Sequence, residues 1–234
     1  MSETEKRRWK GPDKTKRGSG RRMGERKVTA YNAKSESSKK WIERQLSDPY
    51  VQKAKRDGYR ARAAYKLLEI HEQTGILKPG QRVVDLGCAP GGWLQVVLKH
   101  KPKELVGIDL LAIEPVVGAH VIEGDIMNPD DVAAMMKGLS GPPDLVLSDM
   151  AANTTGHRQT DHLRTATLAD MALDFAEEHL VKGGAFCSKV FQGGATADMQ
   201  ERLKRMFKTV KHIKPPASRA GSPELFVVAM GYRG

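Results

Sequence analysis

Four acidic residues of this 234-residue chain stand where short apolar runs give way to polar loops. Asp85 and Asp109 close the first two runs, Asp125 follows the third, and Asp149 closes the fourth. Parallel strands end at one edge of a sheet, and ligands bind outside that edge. A helix cap or a turn can explain one such acid, but four in succession are much harder to explain in that way. We therefore interpret the four residues as part of a binding edge. Asp109 is placed to accept hydrogen bonds from a ribose diol, and Asp125 from an adenine amino group.

A lysine inside a fifth apolar run supplies a group that can move a proton. Lys189 lies within residues 185–192, which are otherwise mostly apolar. Such a lysine can extend its ammonium group to solvent. Burial beside a second cation disfavours the charged form instead, which makes the amine a competent general base. Lys66, with Arg62 one helical turn before it, is the candidate second cation, and Glu224 adds a carboxylate just before the last apolar run.

The loop after the first apolar run consists of small residues and opens a helical segment. Its glycines, Gly87, Gly91 and Gly92, let the backbone approach a ligand, and the following helix offers unpaired N–H groups. Their spacing does not fit the G-x-G-x-x-G fingerprint of dinucleotide-binding proteins, and no Lys-Ser pair follows as in a P-loop. An acidic-Leu-Gly segment that ends in Pro-Gly-Gly-Trp93 is instead typical of proteins that bind S-adenosylmethionine. We therefore expect a loop for that cofactor.

The positive charge of the chain is concentrated at its start. Residues 1–40 carry a balance of +9 out of a total net charge of +11, and they are poor in apolar side chains. Such a segment cannot bury enough surface to fold alone, but it can neutralise phosphates. We therefore expect a nucleic acid as the partner. We also expect a soluble, cytoplasmic protein without a bound metal, because the sequence shows no apolar span, no secretory signal and no cysteine pair with metal-ligand spacing.

The elements that must position these side chains alternate along the chain. Apolar runs that predict strands cover residues 83–86, 105–108, 121–122, 145–147 and 185–190. Helical patterns lie near residues 60–73, 93–99, 129–137, 163–180 and 195–207. This alternation predicts an α/β fold with a buried parallel sheet and helices on both faces. Two final strands, at 209–213 and 225–230, are joined by a loop too short for a crossover helix, so the last of the seven strands is expected to be antiparallel.

These motifs resemble those of the RrmJ/FtsJ family of ribosomal-RNA ribose 2′-O-methyltransferases. The resemblance runs from about residue 38 to the end of the chain, and it rests on residues 48–51, 58–70, 83–93, 148–151, 189–193 and 222–225. It implies a Rossmann-like class I methyltransferase domain at 38–234. The composition of the preceding residues, 1–37, predicts a basic, disordered extension. Ala152 and Cys88 stand where the family commonly has proline and alanine, and neither change removes a reacting group.

The resemblance also assigns residues to a site. It implies a Lys-Asp-Lys-Glu tetrad formed by Lys66, Asp149, Lys189 and Glu224. It implies cofactor contacts from Gly91, Trp93, Asp109, Asp125 and Asp149. We expect Lys189 to take the proton of the attacking hydroxyl group while Asp149 orients it. Lys66 and Glu224 are expected to fix the geometry.

The reaction implied by the resemblance is methyl transfer from S-adenosylmethionine to the ribose 2′-OH of a uridine in 23S ribosomal RNA. We expect a monomer that acts on the large ribosomal subunit. Two alternatives stay open: 2′-O-methylation of transfer RNA, and a non-catalytic RNA-binding assembly factor. A base N-methyltransferase is disfavoured, because it would carry Asn/Asp-Pro-Pro-Tyr/Phe where this chain has Asp149-Met-Ala-Ala.

Overall fold

A computed structural model describes residues 46–152, 156–192 and 197–234 of the protein. The chain divides after Asp48, and the unit Pro49–Gly234 is compact and contains the sheet. The predicted extension at 1–37 and its boundary with the domain lie outside the described residues.

Six helices and seven strands make up the described part of this unit. The helices are α1 (Pro49–Arg56), α2 (Ala64–Thr74), α3 (Gly92–Lys99), α4 (Pro129–Met136), α5 (Arg158–His179) and α6 (Ala197–Met206). The strands are β1 (Arg82–Leu86), β2 (Glu104–Asp109), β3 (His120–Glu123), β4 (Leu145–Ser148), β5 (Ala185–Phe191), β6 (Phe207–Ile213) and β7 (Glu224–Tyr232). Among these helices, none combines the length and the apolar composition that a membrane crossing needs.

All seven strands form one sheet, in the order β3-β2-β1-β4-β5-β7-β6. The pairs β1–β2, β1–β4, β2–β3 and β4–β5 are parallel, whereas β7 runs antiparallel to both β5 and β6. The predicted seven-stranded sheet with a reversed last strand is therefore confirmed. The strand order changes direction between β1 and β4. In sheets of this kind, ligands bind beyond the carboxyl ends of the strands at such a point.

Helices cover both faces of the sheet, as the near-continuous apolar strands require. Val84 and Val146 belong to a buried cluster that includes side chains of α4, α5 and α6. Their neighbours Val83 and Leu145 point to the opposite face, where they share a second cluster with α2 and α3. Because both faces of the sheet are packed, the edge at which β1 and β4 end is held in place.

Several element boundaries differ from the sequence prediction. Helix α2 begins at Ala64 rather than near residue 60, and residues 60–63 form turns. Helix α1 was not predicted, because Ala54 is its single buried residue and hydrophobic periodicity needs several. Helix α6 ends at Met206, and β6 begins at the next residue.

Candidate active site

Four charged side chains from distant segments, one of them Asp149, form a connected cluster. The Nζ of Lys66 lies 3.4 Å from Asp149 Oδ2 and donates a hydrogen bond of 2.9 Å to Glu224 Oε2. The Nζ of Lys189 lies 3.2 Å from Asp149 Oδ1 and donates to the Asp149 carbonyl oxygen at 2.8 Å. The structure thus brings together all four residues of the tetrad that the sequence analysis named.

The sheet explains why these residues meet. Asp149 directly follows β4, and Lys189 lies two residues before the end of β5. Glu224 is the first residue of β7, opposite Phe191 in the register of β5 and β7. Because β7 is antiparallel, its start lies at the same edge as the ends of β4 and β5. Lys66 reaches this edge from α2, with its Nζ 5.5 Å from the centre of the Phe226 ring.

The charges of the tetrad stabilise one another in a mostly buried setting. Burial raises the pKa of the Asp149 carboxyl group, but the two lysines, Lys189 and Lys66, outweigh it and hold the pKa below its usual value. Burial likewise lowers the pKa of Lys66, but Asp149 and Glu224 outweigh it and raise the pKa. Asp149 is therefore an anion and Lys66 a cation at neutral pH. Neither group is suited to accept a proton there.

A fifth ionisable residue, Asp85, lies buried at the end of β1. It is 1% exposed, and neither carboxyl oxygen has a hydrogen-bond partner among the described residues. Burial raises the pKa of Asp85 well above its usual value, and Asp149 and Asp109 add to the effect. A buried carboxyl group without a partner favours the neutral acid, unless a cation comes close enough to offset ionisation. The sequence placed Asp85 at the binding edge but gave no sign of this missing partner.

Asp109 connects the two loops that follow β1 and β2. Its Oδ2 accepts a 2.9 Å hydrogen bond from the Ala89 N–H, and its Oδ1 accepts one of 2.9 Å from the Leu111 N–H. Each carboxylate oxygen retains a further lone pair. The carboxylate is therefore fixed in place while it can still accept hydrogen bonds from a ligand.

Asp125 lies in the exposed loop after β3. Its Oδ1 accepts a hydrogen bond of 2.9 Å from the Met127 N–H, and its own N–H donates to Asp131 Oδ2 at 2.9 Å. The loop is thus ordered by two short side-chain hydrogen bonds. Its carboxylate remains open to solvent beside the same edge of the sheet.

Gly91 and Trp93 open helix α3, and they contribute differently. Gly91 has φ 103°, a left-handed conformation that favours glycine. The Trp93 side chain is buried, its Nε1–H donates to the Ala63 carbonyl oxygen at 2.8 Å, and its ring packs against Phe226 with centroids 5.7 Å apart. Because the indole is satisfied inside the protein, the group that Trp93 can offer a ligand is its backbone N–H in the first turn of α3.

Ser218, which the sequence analysis did not name, contacts the tetrad, and Arg62 lies close to Lys66 in the sequence. Ser218 Oγ donates a 2.7 Å hydrogen bond to Glu224 Oε1, so both oxygens of that carboxylate are engaged. Arg62 lies one turn before Lys66 as expected, but its guanidinium donates to the Ala217 carbonyl oxygen. A serine in a loop carries no sequence signal for such a role. Among the described residues, no group of three His, Cys, Asp or Glu side chains could hold a metal ion.

Comparison with known proteins shows the family and the fold. A family model described as FtsJ-like methyltransferase matches residues 59–232. A relative from Hyphomonas neptunium named ribosomal RNA large subunit methyltransferase E is 68% identical over the full length of both chains. A relative of the same name from Sphingopyxis alaskensis is 55% identical over 93% of this chain and 97% of its own. The crystal structure of a ribosomal RNA methyltransferase from Plasmodium falciparum superposes with a TM-score of 0.67 at 31% identity, covering 75% of this chain and all of that one.

Proposed function

Because this chain belongs to the FtsJ-like methyltransferase family, we propose that it transfers a methyl group from S-adenosylmethionine to a ribose 2′-OH in the RNA of the large ribosomal subunit. The observation that carries the proposal is the buried tetrad, in which two lysines lie within 3.4 Å of one aspartate. The names of the relatives support the choice of large-subunit ribosomal RNA. We assign the reaction to a uridine of 23S RNA and to a cytoplasmic, monomeric enzyme.

The residues at the sheet edge fit S-adenosylmethionine. When bound, this cofactor supplies an electrophilic methyl group on a positively charged sulfur. The carboxyl group of Asp85, which has no hydrogen-bond partner among the described residues, suits a cationic ligand, because a cation nearby offsets the cost of its ionisation. We assign the ribose hydroxyls to Asp109, the adenine amino group to Asp125, and further polar contacts to the backbone at Gly91 and Trp93.

Lys189 is the group that we propose takes the proton of the ribose hydroxyl. Lys66 is held as a cation by Asp149 and Glu224, so it cannot serve as the base. A neutral Lys189 amine would accept the hydroxyl proton as the carbon–oxygen bond forms and the carbon–sulfur bond breaks, with the electron pair of that bond left on sulfur. Asp149, 3.2 Å away, then stabilises the ammonium group that results.

Asp149 contacts both lysines of the site. Its Oδ1 lies 3.2 Å from Lys189 Nζ, and its Oδ2 lies 3.4 Å from Lys66 Nζ. Lys66 therefore offsets part of the negative charge that Lys189 faces, and the proposed role of Lys189 depends on this shared contact.

Positioning supplies a large share of the proposed rate enhancement. Lys66, Glu224 and Ser218 form a hydrogen-bonded chain with distances of 2.9 and 2.7 Å, which fixes the side chains at the rim. Oriented reactants can gain about 7–11 kcal/mol over free ones. We assign Lys66 and Glu224 to holding the target ribose against Lys189.

Basic residues near the start of the described unit support RNA as the partner. Helix α1 has Lys53, Lys55 and Arg56 in its last turn and no acidic residue in its first. These three side chains are exposed. The +9 balance of residues 1–40 precedes them in the sequence. Exposed cations of this density favour phosphate contacts and the release of counterions.

The experiment that tests the proposal measures transfer of a radiolabelled methyl group from S-adenosylmethionine. The acceptors are large subunits, naked ribosomal RNA and transfer RNA from a strain that lacks the enzyme. Lys189→Ala is compared with Lys182→Ala, which removes an exposed lysine just before the same strand. We expect label in large-subunit RNA with the wild type and with Lys182→Ala but not with Lys189→Ala. Label in transfer RNA alone would overturn the substrate, and no label despite cofactor binding would favour an assembly factor.

A further inference from the structure

The guanidinium group of Arg60 joins two loops of the candidate cofactor site. Arg60 lies in the turn between α1 and α2. Its Nη1 donates to the carbonyl oxygens of Pro90 and Glu114 at 3.2 and 2.5 Å, and its Nη2 donates to that of Pro115 at 2.8 Å. Pro90 belongs to the glycine loop after β1, whereas Glu114 and Pro115 belong to the loop between β2 and β3, residues 110–119. One side chain thus bridges both loops.

The position of Arg60 is fixed from the opposite side by α3. Its backbone N–H donates to Gln95 Oε1 at 2.8 Å, and the Gln95 amide donates to the Gly58 carbonyl oxygen at 3.0 Å. The turn that carries Arg60 is therefore tied to the helix that the glycine loop opens. The guanidinium group that contacts the loops is therefore carried by a backbone that is hydrogen-bonded to α3.

Gly91 permits this arrangement. A Cβ atom at Gly91 would lie 3.1 Å from Arg60 Nη1 and 3.1 Å from Val116 Cγ2. A side chain there would press on both the guanidinium group and the loop that it holds. Glycine at position 91 therefore leaves room for the Arg60 guanidinium group and also allows the left-handed backbone conformation.

Arg60 complements Asp109. Asp109 links the same two loops through the N–H groups of Ala89 and Leu111, and Arg60 links them through carbonyl oxygens. In the loop at 110–119, Ile113, Val116 and Ala119 pack against the cluster shared by α2 and α3. Leu110, Leu111 and Val117 are exposed, so hydrogen bonds to the loop backbone add to a partial apolar anchorage.

We propose that Arg60 is a positioning residue for S-adenosylmethionine, which holds loop 110–119 against the glycine loop so that Asp109 is preset to receive the cofactor. This inference rests on the proposed function. A loop ordered in advance does not have to be ordered at the moment of binding, and affinity rises accordingly. The effect falls on cofactor affinity rather than on the chemical step, because the tetrad is built from other segments.

The test is calorimetric titration of the full-length protein with S-adenosylmethionine and with S-adenosylhomocysteine, in the absence of RNA. Arg60→Ala is compared with Arg60→Lys and with Arg205→Ala as the matched control. Arg205 is also exposed, it lies on α6 at the other face of the sheet, and its loss removes the same charge. We expect Kd to rise about 10-fold to 100-fold for Arg60→Ala, since three charge-assisted hydrogen bonds are lost. The rise should be smaller for Arg60→Lys and within about 2-fold for Arg205→Ala.

Two further readouts separate positioning from a general structural role. Amide hydrogen exchange of residues 110–119 should quicken in Arg60→Ala while the central strands stay protected, and saturating cofactor should restore protection. The KM for S-adenosylmethionine should rise while kcat at saturating cofactor stays within about 2-fold. A wild-type Kd for Arg60→Ala would overturn the inference, and so would a change confined to the KM for RNA, which would make Arg60 a phosphate contact. Cofactor binding by a wild-type protein that methylates no RNA would refute the proposed function and leave this inference standing.

Discussion

Replacement of Gly87 by alanine should displace the aspartate of the tetrad. Gly87 lies just beyond β1 with φ 76°, and an added Cβ atom would stand 2.5 Å from Met150 Cγ and 3.0 Å from Met150 Cα. The Met150 side chain can adopt another rotamer, but the Met150 Cα atom can move only if the adjoining backbone moves. Met150 is bonded to Asp149, so relief of this contact shifts the carboxylate that holds both lysines.

Gly80 offers a matched control. It has φ 78°, nearly the value at Gly87, and no described atom lies within 4 Å of where its Cβ would be. Alanine at either position bears a left-handed backbone, which costs about 1–2 kcal/mol. Alanine at Gly87 adds overpacking worth about 1–3 kcal/mol. We therefore expect losses in unfolding free energy of about 1–2 kcal/mol for Gly80→Ala and roughly 2–5 kcal/mol for Gly87→Ala.

The assay compares both variants by denaturant unfolding and by methyl transfer at saturating cofactor. A shift of about 1 Å in a catalytic group can lower a rate about 100-fold. Gly87→Ala should therefore lose about two orders of magnitude in kcat, whereas Gly80→Ala should keep kcat within about 2-fold of the wild type. Equal losses of stability together with unchanged activity would refute the inferred link between Gly87 and Asp149.

The other predictions concern charged groups. Lys189→Ala should abolish methyl transfer and retain cofactor binding by calorimetry, and loss of the cofactor would contradict its assignment. Lys66→Met should lower the unfolding free energy by about 3–5 kcal/mol, because it breaks a buried ion pair. Adding Glu224→Gln should recover part of that loss, and strictly additive losses would disprove the coupling. The raised pKa of Asp85 means that the folded state binds more protons than the unfolded state above about pH 4, so stability falls as pH rises. Asp85→Asn should reduce this fall in unfolding free energy between pH 5 and pH 8. Parallel pH profiles of stability for the wild type and the variant would exclude a contribution from Asp85. Removal of residues 1–35 should leave cofactor affinity intact, weaken RNA binding and reduce its salt dependence, and an unchanged salt titration would rule out phosphate contacts there.

Local patterns were sufficient to predict the sheet. Short apolar runs that end in a polar residue marked the parallel strands, because a strand buried on both faces has no polar alternation to obscure its limits. The length of the loop between β6 and β7 predicted the antiparallel strand. Helix α1 escaped prediction since only Ala54 of its eight residues is buried.

The spacing of residues in the sequence could not predict which side chains contact one another in the site. Lys66 and Glu224 are 158 positions apart, and only the packing of α2 over the edge of β7 brings them within 2.9 Å. The resemblance named both residues, but their contact is a property of the fold. Arg62 lies one turn before Lys66, but the sequence does not indicate that its guanidinium donates to the Ala217 carbonyl oxygen. Trp93 likewise directs its ring into the core, which the motif alone does not reveal.

The central claim is that the tetrad methylates a ribose hydroxyl group of large-subunit RNA. The most direct measurement digests RNA methylated in vitro and separates the labelled nucleosides by chromatography and mass spectrometry, with an alkaline digest in parallel. A 2′-O-methyl group blocks alkaline cleavage of the adjoining phosphodiester. The claim predicts that all label elutes as 2′-O-methyluridine and appears in alkali-resistant dinucleotides from one site in large-subunit RNA. Label on a base, or label released by alkali as mononucleotides, would contradict it.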